Sequence, residues 1–354
     1  MKNKRNSNII IMRKIKVAVV GCGVIGPLHV ECYKMHKNVE IAWLCDLDVA
    51  KARKLADGAG AATQITDDAA DIFNDPRVDA VSICTDHASH APLVEAALKA
   101  GKSVLCEKAL AQNPAALKKM MVAVAKYPDV VMSGVFQHRF DPINREVKKI
   151  LEEGLFGTLL TAGVQVRCYR SDEYYKADPW RGTIKYEGGS VLINQAIHYI
   201  DQLLWIAGGF ESVVGATANI THKGVIETED TAAAVLRLKN GALGIIEATC
   251  SSNIDWETTI ALHGSAGALE IRNDKIAKID FKDKKTEARV ARRLEKVIAP
   301  KAAKSGKTYY GSGHPAQIAD FVEAVAKGRA PFVSAESAAE TAAAVFAIYK
   351  AAGV

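Results

Sequence analysis

The sequence lacks any C-x-x-C pair, and its seven cysteines are an odd number. A structural zinc site needs paired ligands at short spacing, and a disulfide framework needs an even number of cysteines. Neither arrangement fits this chain. We therefore expect no metal site, and we expect reduced thiols in a cytoplasmic compartment.

Long apolar runs are absent too, because no stretch approaches the roughly 18 apolar residues that a membrane span needs. The N-terminal stretch is basic, and its apolar part, Ile9 to Met12, is too short for the core of a signal peptide. We therefore expect no membrane partner, and we interpret residues 1–13 as a disordered extension.

Aromatic residues are missing where positive charge is densest. The net charge is only +6, and much of the excess lies in residues 275–307, where no aromatic residue follows Lys282. A basic segment without interleaved aromatic side chains favours a solvated loop or an exposed helix over a nucleic-acid-binding surface. We expect no nucleic acid partner.

A glycine-rich turn between a strand and a helix is the most informative feature that is present. In Ile15–Gly26, a β-branched apolar run predicts a buried parallel strand, and the pattern G-x-G-x-x-G follows it directly. Gly21 permits a tight turn, Gly23 lets the backbone approach a pyrophosphate, and Gly26 lets the next helix pack on its strand. The helix N-terminus would then face the phosphates.

An acidic residue follows near the place where a dinucleotide-binding fold contacts the adenosine ribose. A second apolar strand, Val39 to Cys45, ends at Asp46, 25 residues after Gly21. A carboxylate there accepts hydrogen bonds from the ribose 2′-hydroxyl but repels a 2′-phosphate, and no arginine follows directly. We therefore predict NAD as the cofactor rather than NADP.

Strand and helix patterns alternate from Ile15 to about Val135, which predicts a doubly wound parallel sheet with helices on both faces. We assign residues 14–136 to this dinucleotide-binding domain. After the first two strands we expect a helix over 49–56, a short helix over 68–73, strands over 80–84, 103–106 and 130–135, and helices over 91–100 and 114–126.

Residues 137–354 show a different pattern, one or two helices followed by several alternating strands. Asn240-Gly241 between two of these strands is a strong hairpin signal. The pattern predicts an α+β domain with a large, mainly antiparallel open sheet. The expected strands cover 159–167, 231–238, 244–249, 258–263 and 268–271, and the last helices cover 315–326 and 335–352.

Two segments carry candidate catalytic residues. Lys108 follows the strand over 103–106, at the sheet edge where ligands bind in folds of this class. Asn194 and His198 lie four residues apart on a helix that opens near Gly189, so they share one face. Oxidation of an alcohol needs a base as the hydride leaves, and histidine suits that role near neutral pH. The simpler interpretations are a solvated lysine and a histidine that only packs.

Three motifs stand together in the chain: Gly21-x-Gly23-x-x-Gly26, the pair Glu107-Lys108, and Gly-Gly-Ser-x-x-x-Asn-x-x-x-His-x-x-Asp over residues 188–201. Together they resemble the glucose-fructose oxidoreductase and inositol 2-dehydrogenase family (Gfo/Idh/MocA), from about Met12 to Tyr349. The resemblance implies an N-terminal Rossmann domain and a C-terminal sheet domain for substrate binding and assembly into a homodimer or homotetramer. It also implies hydride transfer between NAD(P) and a sugar or polyol carbon.

By this resemblance Lys108 is the catalytic lysine, which hydrogen-bonds the reacting oxygen, and His198 is the general acid/base. Two positions depart from the family pattern. Ala109 stands where proline is usual, so the loop of the lysine loses a fixed φ. Asn194 stands where aspartate is usual, and we interpret it as a neutral partner of a substrate hydroxyl. Asp201 either orients the imidazole or forms part of the polar edge of the helix.

The segment from Arg170 to Thr183 is similar to a branch that contains nucleotide-sugar and glycoside 3-dehydrogenases. Its aromatic residues would stack on a pyranose, and its arginines would bind a carboxylate or phosphate, unless they serve only packing. The predicted substrate-binding residues are Lys108, Arg139, Arg170, Tyr175, Arg181, Asn194 and His198. The predicted cofactor-binding residues are Gly21, Gly23, Val24, Ile25, Gly26, Asp46, Thr85, His87, His90, Glu107, Lys108, Gln137, Trp180 and Arg181.

The resemblance thus predicts an NAD-dependent oxidoreductase that acts on a ring hydroxyl of a pyranoside or nucleotide sugar, with C3 as the expected carbon. Two other enzymes stay open. One is an NAD-dependent glycosidase that oxidises C3 transiently and eliminates the aglycone, and the other is an inositol or polyol dehydrogenase. A sugar-sensing regulatory protein is a third alternative, against which the presence of both Lys108 and His198 argues.

Overall fold

The computed structural model describes residues 14–298, 303–305 and 310–354. The extension predicted for residues 1–13 lies outside the described residues. Within these ranges the chain forms a parallel sheet of six strands and a mainly antiparallel sheet of seven, which confirms the predicted fold class. No helix in these ranges is both long and apolar enough to cross a membrane.

The first sheet is built from alternating strands and helices. Its strand order is β3-β2-β1-β4-β5-β6, so the succession of strands reverses between β1 and β4. Ligands of such sheets bind beyond the carboxyl ends of the strands at this reversal. The elements are β1 (Ile15–Val20), α1 (Gly26–Lys34), β2 (Val39–Cys45), α2 (Val49–Ala56), β3 (Gln64–Thr66), α3 (Ala69–Asn74), β4 (Ala80–Ile83), α4 (His87–Lys99), β5 (Ser103–Cys106), α5 (Pro114–Lys126) and β6 (Met132–Gly134).

Helix α4 begins earlier than the sequence predicts. The side chain of Asp86 accepts a hydrogen bond from Ser89 N, which satisfies one of the free N–H groups of the first turn. The helix therefore begins at His87 instead of residue 91, and Pro92 lies within it. As a result, the histidines expected in a loop after β4 lie on a capped helix.

The second sheet has the strand order β13-β12-β11-β7-β10-β9-β8. Neighbouring strands are antiparallel except β7 and β10, which are parallel. The hairpin predicted at Asn240-Gly241 joins β9 and β10, with Gly241 at φ 88°. The elements from here on are α6 (Pro142–Glu152), β7 (Leu159–Tyr169), α7 (Asp172–Lys176), α8 (Ile197–Ala207), β8 (Phe210–Ala218), β9 (Thr231–Leu238), β10 (Leu243–Thr249), β11 (Ser251–Gly264), β12 (Gly267–Arg272), β13 (Lys275–Phe281), α9 (Lys284–Glu295), α10 (His314–Lys327) and α11 (Ala335–Ala351).

The sequence prediction misses three strands and one helix. The strands β3, β8 and β13 all lie at sheet edges, where fewer side chains are buried and the hydrophobic pattern is weaker. The missed helix, α9, lies with β13 in the lysine-rich segment. Its Arg293 forms ion pairs with Glu146 at 2.6 Å and Glu153 at 2.5 Å, both on or beside α6.

The last two helices return to the first sheet. Helix α10 packs against α1, and α11 packs against α5 and β6 as well as α8 and β8. Ser133 on β6 forms an antiparallel bridge with Ser334. The side chain of Gln317 accepts a hydrogen bond from Phe136 N at 3.1 Å and donates one to Gly134 O at 2.8 Å. These contacts cover the outer edge of the parallel sheet.

Candidate active site

A cavity of about 1050 Å³ lies at the carboxyl ends of β1, β2, β4 and β5. Residues from two later segments, 170–181 and 194–199, complete its lining. Pockets for one drug-sized ligand are usually about 300–1,000 Å³. The cavity is therefore large enough for an extended cofactor together with a second molecule.

The turn after β1 fits a pyrophosphate. Gly21 has φ 95°, and a Cβ there would overlap the carbonyl oxygen of Cys84, whereas a Cβ on Gly26 would overlap the carbonyl oxygen of Gly21. Within the described part of the chain, no atom lies within 4 Å of a Cβ built on Gly23. No described side chain caps helix α1 at Ile25, so the N–H of Gly26 can meet an anion; Pro27 has no N–H, and Leu28 N donates to Ile25 O at 3.0 Å.

Asp46 is held rigidly at the end of β2. Its Oδ2 accepts a hydrogen bond from Cys22 N at 2.7 Å, and its Oδ1 accepts one from Asp48 N at 2.9 Å. The carboxylate lines the cavity, and the neighbouring Leu47 side chain is almost fully exposed. A fixed anion at this point favours a ribose diol over a ribose phosphate.

Lys108 extends from the end of β5 into the cavity. Its Nζ donates hydrogen bonds to Asn194 Oδ1 at 2.7 Å and to the backbone oxygen of Asn194 at 3.1 Å. The peptide bond between Lys108 and Ala109 is cis. Burial lowers the pKa of Lys108 to about 8, although the carboxylates of Glu107 and Glu187 oppose the shift.

His198 lies on the same side of the cavity as Lys108, just after a π-helical segment, Val191–Ala196. Its ring packs edge-on against Phe136 and His138, with centroids 6.2 and 5.8 Å apart. Its Nδ1 has no hydrogen-bond partner among the described residues. Burial and the nearby Lys108 charge lower the pKa of His198 well below its ordinary value, so the imidazole is neutral near pH 7.

A network of buried hydrogen bonds holds the loop that carries Lys108. One oxygen of Glu107 hydrogen-bonds His29 Nε2 at 2.9 Å, and the other accepts from Lys108 N at 3.2 Å. Both His29 Nδ1 and the Tyr33 hydroxyl hydrogen-bond the Ser82 hydroxyl, at 2.9 and 2.7 Å. These contacts tie the lysine loop to α1 and β4, so they fix where the loop leaves the sheet.

Glu187 is a site residue that the sequence reasoning misses. It is 1% exposed, its Oε1 accepts a hydrogen bond from Asn194 Nδ2, and its Oε2 accepts one from Gly182 N. Its backbone oxygen hydrogen-bonds His87 Nδ1 at 2.8 Å. Burial raises the pKa of Glu187 to about 7. The available signal was a charged residue directly before two glycines and an apolar helix.

Part of the cavity lining, formed by residues 170–181 and Trp256, is cationic and aromatic. The guanidinium of Arg170 lies over the rings of Tyr174 and Trp256, at 5.0 and 5.3 Å from their centroids. The guanidinium of Arg181 lies over Tyr174 at 4.2 Å and over Trp180 at 5.0 Å. Flat rings beside immobilised guanidinium groups suit a sugar ring that carries an acidic substituent.

Most of the predicted cofactor residues reach the cavity. Gln137 donates a hydrogen bond from Nε2 to Tyr310 O at 3.2 Å, while its buried Oε1 has no partner among the described residues. Gly21 and Gly26 shape the turn behind the lining. The predicted cofactor residues in the lining are Gly23, Val24, Ile25, Asp46, Thr85, His87, Glu107, Lys108, Gln137, Trp180 and Arg181.

The prediction of Arg139 as a substrate-binding residue is wrong. Arg139 is 5% exposed, and its guanidinium pairs with the carboxylate of Asp201 at 2.8 and 2.6 Å, outside the cavity lining. Asp201 is engaged by this pair, so it does not orient the imidazole of His198. Both residues belong to the buried packing behind the site.

The predictions of Tyr175 as a substrate-binding residue and His90 as a cofactor-binding residue are wrong too. Tyr175 points into the core, where its hydroxyl hydrogen-bonds Ser190 Oγ at 2.7 Å, and its neighbour Tyr174 lines the cavity instead. His90 lies behind the lining with both ring nitrogens hydrogen-bonded to backbone oxygens, those of Ala109 at 2.7 Å and Thr85 at 3.2 Å. It packs and does not contact a cofactor.

One group of side chains in the described part of the chain has the composition of a metal site. The donor atoms of His138, Asp141 and Asp274 lie within 4.8 Å of one another. His138 Nδ1 and Asp141 Oδ2 are already hydrogen-bonded to each other at 2.7 Å. Asp274 Oδ1 lies further away, 4.0 Å from the same nitrogen.

Comparison with known protein families identifies both halves of the chain. Residues 15–135 match the model of the oxidoreductase family with an NAD-binding Rossmann fold, and residues 144–270 match the GFO/IDH/MocA C-terminal domain. The chain belongs to the GFO/IDH/MocA family. It is therefore an oxidoreductase with an NAD-binding Rossmann domain, as the glycine turn and Asp46 predict.

Relatives within the GFO/IDH/MocA family act on sugars and polyols. The chain is 27% identical to myo-inositol 2-dehydrogenase of Thermotoga maritima over 332 residues, 91% of each chain. It is 30% identical to inositol 2-dehydrogenase of Rubrobacter xylanophilus over 266 residues, 73% of this chain and 71% of that one. The structure of the WlbA dehydrogenase from Bordetella pertussis in complex with NADH and UDP-GlcNAcA is similar, with TM-score 0.83, 28% identity and 97% coverage of both chains. The chain is thus a dehydrogenase of the sugar and polyol class.

Proposed function

We propose that the protein oxidises a ring hydroxyl of a sugar, a pyranoside or nucleotide sugar, at C3, with Lys108 and His198 as the acid/base pair. The observation that carries the proposal is the convergence of three groups on one cavity: the glycine turn with Asp46, the Lys108 ammonium and the neutral His198 imidazole. The cavity also holds the aromatic and cationic wall around Arg170 and Arg181.

Each side chain has a defined part in this chemistry. Bound NAD supplies the hydride acceptor. Lys108 Nζ donates a hydrogen bond to the reacting oxygen, since burial against Asn194 holds the ammonium at the cavity surface. His198 takes the hydroxyl proton, because a neutral imidazole that lines the cavity is a competent base. The free acceptor Oε1 of Gln137 suits the carboxamide of the nicotinamide.

The cationic and aromatic wall supports a sugar with an acidic group. Arg170 and Arg181 line the cavity, and both guanidinium groups lie over the ring of Tyr174. The B. pertussis relative was crystallised with UDP-GlcNAcA, which supports a nucleotide sugar here as well. The inositol dehydrogenases among the relatives support an inositol or polyol as the second candidate substrate.

We propose that the exposed face of the second sheet forms a homodimer or homotetramer interface. Adjacent strands place Val214, Val235 and Ile245 side by side, and the row continues through Gly163 and Ala261. The three larger side chains are 43–67% exposed. A contiguous apolar row of this kind usually marks a contact surface.

The seven free, buried cysteines support a reducing, cytoplasmic compartment.

The test is a scan for NADH formation by absorbance. Purified protein is mixed with NAD or NADP and with nucleotide sugars, uronates, glycosides or inositols, and the His198→Ala variant serves as the control. We expect NADH with one sugar class and NAD only, and loss of the signal in the variant. NADH formation from inositols alone would replace the sugar proposal with the polyol one. Tightly retained NAD with aglycone release and no net NADH would indicate the glycosidase.

A further inference from the structure

Lys108, Asn194 and Glu187 form a hydrogen-bonded chain in which each contact joins a donor to an acceptor. Lys108 Nζ donates to Asn194 Oδ1 at 2.7 Å, and Asn194 Nδ2 donates to Glu187 Oε1. The second oxygen of Glu187 accepts from Gly182 N. An ammonium group can only donate and an ionised carboxylate can only accept. The two ends of the chain therefore leave the carboxamide a single orientation.

The backbone anchors the middle of this chain. Asn194 N donates to Ser190 O at 2.9 Å, and the backbone oxygen of Asn194 accepts the second hydrogen bond from Lys108. The pKa of Glu187, about 7, lies below that of Lys108, about 8, so the carboxylate is ionised in the range where the lysine titrates. Glu187 is 1% exposed, so this charge acts on the lysine in an environment from which water is largely excluded. The Asn194 side chain could still rotate about its own bonds. Its hydrogen bond to the Glu187 carboxylate prevents that rotation.

We propose that Glu187 is a positioning residue that fixes the Asn194 carboxamide and, through it, holds the Lys108 ammonium in place and charged. The negative charge that Asn194 lacks is thereby supplied one hydrogen bond further from the lysine. The consequence for catalysis rests on the proposed function, which makes Lys108 the group that contacts the reacting oxygen. The hydrogen-bond chain itself is independent of the substrate.

Two substitutions separate this role from simple packing. In Glu187→Gln an amide donor would face either Asn194 Nδ2 or Gly182 N, so the chain loses its pairing and its charge. In the double variant Glu187→Gln/Asn194→Asp the carboxylate and the amide exchange places. The carboxylate introduced at position 194 can accept from both the amide introduced at position 187 and the Lys108 ammonium, which restores pairing and charge together.

The experiment measures the ionisation of Lys108 without substrate. Full-length, NAD-free protein is pulse-labelled with an amine-reactive anhydride across a pH series, and mass spectrometry gives the labelling of Lys108 at each pH. Removing an opposite charge lowers the pKa of an amine. In Glu187→Gln we therefore expect the midpoint to fall by about one pH unit or more. In the double variant we expect it to recover at least to the wild-type value, because the carboxylate at position 194 contacts the ammonium directly.

Glu229→Gln is the matched control. Glu229 is another buried carboxylate close to the same segment, and it accepts hydrogen bonds from Ser190 N and Leu192 N without contacting Asn194 or Lys108. It should leave the midpoint unchanged even if it lowers thermal stability. If Glu187→Gln does not fold, the double variant still tests the proposal, because it must fold and its Lys108 midpoint must lie at or above the wild-type value.

An unchanged Lys108 midpoint in Glu187→Gln would overturn the proposal, as would a double variant that folds with the midpoint still below the wild-type value. Failure of both variants to fold would overturn it too, because Glu187 would then serve the fold and not the lysine. The labelling needs no turnover. A shifted midpoint in a protein that oxidises no sugar therefore leaves this inference standing while the proposed function fails.

Discussion

The guanidinium of Arg139 and the carboxylate of Asp201 form a two-point ion pair inside the protein, with Nε–Oδ2 at 2.8 Å and Nη2–Oδ1 at 2.6 Å. The same carboxylate accepts a hydrogen bond from Thr341 Oγ1 at 2.7 Å. The pair thereby joins the turn after β6 to α8 and α11. Arg139 therefore does not bind substrate, and Asp201 does not orient the His198 imidazole. Both residues stabilise the packing behind the site.

Breaking this pair should destabilise the fold without blocking the cofactor site. Arg139→Met leaves the Asp201 charge buried and unpaired, which costs about 3–5 kcal/mol. Urea unfolding monitored by circular dichroism measures the loss. Arg139→Met/Asp201→Leu is the control, and it should recover most of the stability because no charge is left buried. A single variant as stable as the wild type would show that the pair is solvated.

Asp46 should determine which dinucleotide binds. Asp46→Ala removes the carboxylate that Cys22 N and Asp48 N hold at the end of β2. We expect NADH affinity to fall by about tenfold or more, the usual cost of one or two hydrogen bonds to a charged group. NADH fluorescence titration measures it, and Asp67→Ala, at an exposed acid outside the cavity, should bind NADH normally. Equal binding of NADPH by the wild type would contradict the assignment.

Lys108→Met should separate cofactor binding from turnover. The substitution keeps most of the length of the side chain but removes the donor to the reacting oxygen. We expect NADH affinity within about twofold of the wild type and turnover lower by roughly 10²–10⁴-fold. Steady-state kinetics on the substrate found in the scan measures the change. Lys118→Met, at an exposed lysine of α5, should be fully active, and unchanged turnover of Lys108→Met would refute the catalytic assignment.

The pH dependence of sugar oxidation should report Lys108. The oxidation needs the ammonium form of Lys108 and the neutral form of His198. The pKa of Lys108 is about 8, so the ammonium is present below that pH and is lost above it. The value of kcat/KM should be level in the neutral range and fall by about tenfold per pH unit on the alkaline side. His198 stays neutral across this range and adds no second limb. Lys108→Arg, which keeps its charge, should abolish the alkaline fall. A fall on the acid side, centred near pH 6, would show that the histidine titrates in this range.

A charge on the outer sheet face should dissociate the oligomer. Ile245 lies in the middle of the apolar row between Val235 and Gly163. Ile245→Asp would bury an uncompensated carboxylate in the interface, so we expect a monomer by size-exclusion chromatography with light scattering. Ile220→Asp, at an exposed apolar residue beyond the end of β8, should keep the wild-type mass. A wild-type protein that is itself monomeric would remove the proposed interface.

Local pattern accounts for what the sequence predicts well. The glycine turn, the place of Asp46 and the shared face of Asn194 and His198 depend on residues close together in the chain, where geometry allows few alternatives. Lys108 is located by the rule that ligands bind at the carboxyl ends of strands. These features are the ones that the structure brings together in the cavity.

Contacts between distant residues account for what the sequence misses. Arg139 and Asp201 are 62 positions apart, and no local sequence pattern shows that the two side chains form an ion pair in the folded protein. Tyr174 and Tyr175 are adjacent on α7 and point in different directions, so the orientation of the helix decides which one reaches the cavity. Glu187 acquires its role only when the β5 loop brings Lys108 against Asn194.

The contacts of α10 and α11 with the parallel sheet set the order in which the chain can be completed. Strand β6 is an edge strand, and the residues that cover it, Gln317 and Ser334, are made after both sheets. A nascent chain that has left the ribosome only as far as the second sheet therefore carries an open strand edge. An open edge can pair with other chains. The helices that follow the second sheet thus protect the parallel sheet during biosynthesis, and a premature stop before them would release a product prone to aggregate.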